Sequence, residues 1–175
     1  PIRYAGEPIL LRRSPLFATI AVPAGFGRPE PYELTVIVVH HKSGRGNDYW
    51  REAESKGLME LIEKHYSGRD KNIAILGDFN ARPDDTSVTM YGGAGFRDVW
   101  TDRPRGDLGK THESGRAIDL ILVNEALRAE VIPGSEFVLG TTSRPEGVDW
   151  RSYAPPAGYA ADHYPFSIDL RPVDQ

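Results

Sequence analysis

Four short polar signatures carry most of the chemistry in this chain: His40-His41-Lys42-Ser43, Gly77-Asp78-Phe79-Asn80, Ile118-Asp119 and Ala161-Asp162-His163-Tyr164-Pro165. Each stands where an apolar, β-like run ends or is interrupted. Strand ends can project side chains into one crevice, and carboxylates, a carboxamide and imidazoles gathered there can hold a divalent ion, a water and a phosphate together. That is the equipment of phosphodiester cleavage. One such signature alone is weak evidence; all of them in this order are strong.

Asp78 and Asn80 are two apart after a buried run, so both can point the same way while Phe79 turns into the core. The aspartate can orient or deprotonate a water, and the asparagine amide can donate to a phosphate oxygen or offer its carbonyl to a metal. Asp119 sits inside an apolar strand, where an unpaired carboxylate costs several kcal/mol, so it needs a partner or must reach solvent at a sheet edge. His163 is the partner expected, since a carboxylate on one ring nitrogen fixes the tautomer and prepares the other nitrogen for water or phosphate. Asp162, next to it, is placed to bind a cation, and His40 to contact the scissile phosphate. Lys42 and Arg116, cations beside these signatures, are candidate substrate contacts. His41 is expected to point away as a structural residue and His65 to lie on a helix surface, while His112 receives no assignment.

The elements that must position these groups follow from periodicity. Leu16–Val22 reads as a strand, and residues 34–39 as a β-branched run of the kind buried on both faces. Asn47 or Asp48 can cap a helix in which Trp50, Ala53, Leu58, Leu61 and Ile62 fall near helical spacing, with Lys64 and His65 suiting its end and Gly68 stopping it. An apolar run at 73–76 follows, so the order is strand, helix, strand: a parallel crossover or a helix covering a sheet, with the site at the carboxyl end of that strand. Asp84 or Asp85 is expected to cap a short helix reaching Met90. Residues 96–100 and 136–139 read as extended, 118–123 as a strand, 124–128 as a turn or short helix, and 164–170 as a closing, alternating strand. Between them, 140–158 is a loop rich in Gly, Pro and Ser, of a length that is usually functional or mobile.

With 175 residues the chain suits a single domain, 1–175, able to bury a core without disulfides. The absence of cysteine excludes a disulfide framework and a zinc–thiolate site. A net charge of −4 disfavours a broad basic surface, although arginine far outnumbers lysine and its planar fork suits local phosphate contacts. No apolar run approaches the roughly 20 residues that span a bilayer. A soluble protein is expected, with no compartment assigned and a secreted or periplasmic location left open.

On these motifs the chain resembles the endonuclease/exonuclease/phosphatase superfamily, which includes pancreatic deoxyribonuclease, apurinic endonucleases and neutral sphingomyelinases. The resemblance runs from Arg13-Ser14-Pro15 to Leu170 and is nearest to bacterial, extracellular-nuclease-like members with a His-x-Lys-Ser pattern. It implies an α/β fold of the two-sheet sandwich, deoxyribonuclease-like type, dependence on Mg2+ (or Mn2+ or Ca2+), and phosphoester hydrolysis by an attacking water. Carried over by motif, it implies His40 as the first catalytic histidine, Asp78 and Asn80 as the water-activating and phosphate-contacting pair, Asp119 as the carboxylate orienting His163, and Asp162, with Asp78 and Asn80, as metal ligands. Thr111, in Lys110-Thr111-His112, matches a segment that often contacts phosphate.

One departure is plain. Superfamily members carry an asparagine and a metal-binding glutamate on strands well upstream of the Arg13 segment; nothing here matches, and Glu7 is too close to that segment. The expectation is an N-terminally incomplete domain, the C-terminal two thirds, with an unpaired sheet edge, an exposed apolar face and self-association. Three functions follow: a nuclease on DNA, favoured by arginines and by Trp150, Tyr153 and Tyr159 in the long loop; a phosphatase or phosphodiesterase on lipid headgroups or small phosphate esters; and a catalytically silent fragment that keeps the scaffold.

Overall fold

In the computed structural model, which describes residues 3–8, 11–25, 29–66, 72–102, 104–149 and 152–172, the β-branched runs pair into one mixed sheet and a single long helix crosses over it. The strands and helices in chain order are β1 (Arg3–Tyr4), β2 (Glu7–Pro8), β3 (Leu16–Val22), β4 (Tyr32–His40), α1 (Asp48–Tyr66), β5 (Asn72–Asp78), α2 (Thr86–Thr89), β6 (Arg97–Asp98), β7 (Asp119–Val123), α3 (Glu125–Arg128), β8 (Phe137–Val138) and β9 (Phe166–Ser167). The main sheet has the order β3-β4-β5-β7-β6. Only β4 and β5 run parallel; the other neighbours are antiparallel. A parallel pair needs a crossover, and α1 supplies it. Gly68, expected to stop α1, and Trp150 lie outside the described residues.

Alternation along the strands divides the core in two. On the α1 side, Ile37, Val39, Ile73, Ile75, Leu120 and Leu122 pack against Leu58 and Ile62, with Phe79, Tyr91 and Phe96 closing the end near the signatures. Each such aliphatic side chain contributes about 1.5–3 kcal/mol by leaving water. On the other side, Ala74, Ile121, Val123 and Leu127 are covered by Val131, Phe166, Ile168 and Leu170. The covering layer is slight: β8 and β9, plus bridges pairing Val131 with Leu170 and His112 with His163. The closing strand is therefore shorter than its alternation over 164–170 predicts, although the extended path continues, with Ile132 N donating to the Asp169 carbonyl.

The second layer reaches Leu34 at one end of β4, thins along that strand and leaves β3 uncovered, which corrects one expectation. The run 34–39 is not buried on both faces: Thr35, Ile37 and Val39 are buried against α1, while Val38 is 38% exposed and, on the edge strand β3, Leu16 is 62% and Ile20 is 49% exposed. The second face of this strand is thus only partly covered: Leu34 and Val36 are partly buried and Val38 is open to solvent.

Gly77 is the tightest backbone constraint near the signatures. Its φ is +132° and a Cβ there would lie 2.2 Å from the carbonyl oxygen of Val39, its register partner on β4. Gly77→Ala is expected to cost about 2–4 kcal/mol, since backbone strain and a clash with another backbone add. Urea unfolding of the two proteins checks this; a loss under 1 kcal/mol contradicts it.

Candidate active site

Cross-strand partners project to the same face of a sheet. His40 at the end of β4 pairs with Asp78 at the end of β5, and Asp78 pairs with Asp119 at the start of β7. Register alone therefore sets an imidazole and two carboxylates in one row at the carboxyl end of the parallel pair. His40 Nε2 lies 3.3 Å from Asp78 Oδ2, with the imidazole half exposed.

The fourth signature reaches this row through a backbone ladder. Residues 111–113 run beside 162–164: Tyr164 N donates to the Thr111 carbonyl at 2.8 Å and Glu113 N to the Asp162 carbonyl at 2.9 Å. His163 is thereby held over Asp119, its Nδ1 at 2.9 Å from Oδ2 and 3.0 Å from Oδ1, and its Nε2 4.0 Å from Asp78 Oδ2. Asp78 lies between two imidazoles. Its carboxylate is steadied by Asn80, whose backbone N–H donates to Oδ1 and whose Nδ2 donates to Oδ2, both at 2.8 Å. Asn80 Nδ2 also donates to the His41 carbonyl at 3.1 Å, so its amide protons are engaged and the carbonyl Oδ1 is the atom left for a cation or water. This fit depends on a left-handed φ of 49°, which asparagine adopts more readily than most residues.

Other predicted contacts stand elsewhere. Thr111 is fully buried and its hydroxyl oxygen accepts the N–H groups of Ile118 and Asp119, at 3.0 and 2.9 Å. It supports the Asp119 backbone from within the core, where a phosphate contact was expected of it. The Lys42 ammonium donates to the Ser43 carbonyl at 2.9 Å, and the exposed Arg116 donates from Nε to Ser114 Oγ at 2.9 Å. In the long loop, Arg144 donates to Glu113 at 2.9 Å and to the Tyr159 hydroxyl at 2.7 Å and lies over the Tyr159 ring, so Tyr159 is committed to an internal clamp while Tyr153 is exposed.

The electrostatics separate the two histidines of the ladder. Burial opposes a charge on His163, but the hydrogen bond to Asp119 and the charges of Asp119, Asp78 and Asp162 outweigh it and raise its pKa. Burial and the His163 charge lower that of His112. His163 is expected to titrate above the ordinary imidazole value of about 6.5 and His112 below it. Ring-proton NMR across pH checks this, and Asp119→Asn should bring His163 down; titration of both at the ordinary value contradicts the arrangement.

A divalent ion fits the donor set through Asp162. That carboxylate is half exposed, and Mg2+ is commonly held by one or two carboxylates with waters and substrate oxygens completing its octahedron. Asp78 is already occupied by Asn80 and His40, and Asn80 offers its carbonyl.

Two neighbours of these groups escaped sequence reasoning. His112 Nε2 is 3.6 Å from Asp162 Oδ2, and its ring meets that of His163 edge-on with centroids 4.8 Å apart. Glu54 of α1 lies beneath the row: its Oε2 accepts Lys42 N at 2.7 Å and pairs with His41 Nδ1 at 3.2 Å, while His41 Nε2 is 3.3 Å from the Tyr91 hydroxyl. His41 is structural, as its neighbour position implied, and His65 is on the exposed face of α1. Glu54 had a signal: it stands at the i+4 step between Trp50 and Leu58 on an otherwise apolar stripe.

The sequence of residues 3–163 matches the model of the Endonuclease/Exonuclease/phosphatase family. No curated protein matches the chain by sequence. Among solved structures, the chain is similar to the 3′ phosphatase NExo from Neisseria bound to a product DNA hairpin, at 18% identity and a TM-score of 0.56, over 91% of this chain and 71% of that one. A humanized TDP2 of D. rerio is similar at 18% identity and TM-score 0.56, over 90% and 68%. A family protein from Bacteroides thetaiotaomicron gives 19% identity and TM-score 0.55, over 83% and 52%. At such identities the likeness is one of fold, and the chain spans about half to seven tenths of the length of these structures. With one family model matched across almost all of its length and that fold in common, the chain belongs to the endonuclease/exonuclease/phosphatase family.

Proposed function

We propose that this chain carries the site of a divalent-metal-dependent phosphodiester hydrolase whose substrate is DNA. Members of the family are hydrolytic phosphoesterases. The observation that carries the reading is the placement of Asp78 between His40, at 3.3 Å, and His163, at 4.0 Å, with His163 held from behind by Asp119. Asp78 takes the proton of the attacking water as the water oxygen bonds to phosphorus and the P–O bond to the leaving sugar oxygen breaks, that oxygen taking a proton from solvent water. Asn80 keeps the carboxylate turned toward that water. His163, its charged ring favoured by Asp119 at Nδ1, donates Nε2–H to a phosphate oxygen, and His40 contacts the phosphate from the other side of Asp78. A divalent ion, with Mg2+ the first choice, held by Asp162 and the Asn80 carbonyl, would supply positive charge to the phosphate oxygens.

DNA is favoured over small esters by Lys42 and Arg116, cations adjacent in sequence to the signatures, by the exposed Tyr153, and by the similar fold of a 3′ phosphatase solved with a DNA hairpin. The test is hydrolysis by the full chain with Mg2+, comparing duplex and hairpin DNA with inositol phosphates and sphingomyelin. Cleavage of DNA that stops on chelation is the expected result. Turnover of the small or lipid esters with DNA intact, or of no substrate at all, overturns the reading.

A further inference from the structure

We propose that His112, Asp162 and His163 form a second kind of metal site, one for a borderline ion of the Zn2+ class, and that filling it silences hydrolysis. One ligand atom from each residue lies within 4.8 Å of the others. Two imidazoles and a single carboxylate are a poor set for Mg2+, which wants oxygen, and a good one for zinc, cobalt or nickel. Three protein ligands leave a fourth position for water.

The two rings are already oriented for this. A ligating histidine donates its other N–H to an oxygen that fixes the ring, and both rings have that oxygen in place. His163 Nδ1 is held by Asp119 at 2.9 Å, leaving Nε2 as its ligand atom. His112 Nδ1 lies 2.8 Å from Ser114 Oγ, leaving Nε2, 3.6 Å from Asp162 Oδ2. Ser114 N also donates to His112 Nδ1 at 3.0 Å, which places the neutral ring's proton on Nε2. Ion binding transfers that proton to Nδ1, where Ser114 Oγ accepts it and the bond from Ser114 N opens. The ladder between 111–113 and 162–164 keeps the three ligands together without an ion, so little ordering remains to be done on binding.

Silencing follows from a shared atom. His163 Nε2 is the nitrogen that faces phosphate in the proposed reaction, and a bound ion occupies it. This half of the inference rests on the proposed function; the binding half does not.

The experiment is calorimetry of the chelator-stripped full chain with Zn2+ alone, with Co2+ visible absorption as a second readout of nitrogen coordination. One equivalent of Zn2+ is expected to bind, and His112→Ala to weaken it at least about tenfold. His112→Gln, which keeps the side chain's bulk, should lose it to a similar extent, and circular dichroism of both variants reports whether they are folded. Equal affinity in folded wild-type and variant proteins, or no uptake above the level seen with Mg2+, overturns the site. In the hydrolysis assay with excess Mg2+, substoichiometric to equimolar Zn2+ should suppress wild-type turnover in proportion to occupancy and the His112 variants should resist. Zinc bound at this site without suppression overturns the silencing role. A chain that binds zinc through His112 and hydrolyses nothing overturns the proposed function and leaves the site standing.

Discussion

Asp78→Asn is expected to lower Mg2+-dependent hydrolysis by roughly 100- to 10,000-fold, the usual worth of a positioned general base. The change keeps the shape of the side chain and removes its charge. Both oxygens of Asp78 accept from Asn80, one lies 3.3 Å from His40 and 4.0 Å from His163, and the register fixes the residue between β4 and β7. A carboxamide there cannot take the water's proton, and its NH2 group would face the Asn80 donors. The Asp78 side chain is only 14% exposed and the new amide meets an Asn80 donor, so a moderate drop in melting temperature, from a loss of about 1–3 kcal/mol, should accompany the much larger fall in turnover. Single-turnover hydrolysis of labelled DNA, alongside a thermal melt, checks both; activity within tenfold of the wild type contradicts the assignment.

The second large effect is on folding. Glu54→Ala is expected to cost about 3–5 kcal/mol, because removing one partner of a buried pair leaves the other uncompensated. Glu54 is 3% exposed and His41 5% exposed, and Glu54 also accepts the backbone N–H of Lys42. Burial alone would raise the Glu54 pKa, but the His41 hydrogen bond and the Lys42 N–H outweigh it and hold it below the ordinary value. A depressed carboxylate contributes stability that is full above the unfolded value of about 4.3 and is lost as pH falls through the lower folded value. Wild type and variant should therefore differ most near neutral pH and converge in acid. Urea unfolding at pH 7 and pH 3 measures the difference. A gap under 1 kcal/mol at pH 7 contradicts the role. The same substitution should also disturb the His41 carbonyl, to which Asn80 and Arg13 donate at 3.1 and 3.3 Å, and so loosen the Asp78–Asn80 pair.

Much of this was legible before the structure because it is local. The strand–helix–strand order and the carboxylate inside β7 are each written in a few neighbouring residues, and Asp119 in an apolar strand demanded a partner that His163 supplies. Register was not legible: that His40, Asp78 and Asp119 form one row depends on how β4, β5 and β7 align across a crossover and a long connection, which no local pattern fixes. The burial of strand 34–39 was not legible because a β-branched run reports hydrophobicity and not whether a covering layer reaches it; here that layer touches Leu34 and leaves Val38 exposed. Thr111 was placed by motif, but its hydroxyl is drawn inward by two N–H groups at the start of β7 that would otherwise lack an acceptor. His112 carried no distinguishing pattern, since its meeting with Asp162 and His163 is made by a β-bridge between segments 51 residues apart in sequence, from position 112 to 163.

The central claim is that His40, Asp78, Asn80, Asp119, Asp162 and His163 act as one phosphate-holding, ion-holding site. The direct measurement is ring-proton NMR of the five histidines of the full chain as inorganic phosphate is added in the presence of Mg2+. His40 and His163 should shift together with a single dissociation constant that weakens on Asp162→Asn, while buried His41 and surface His65 stay unmoved. Separate constants for His40 and His163, or shifts confined to one of them, would contradict it.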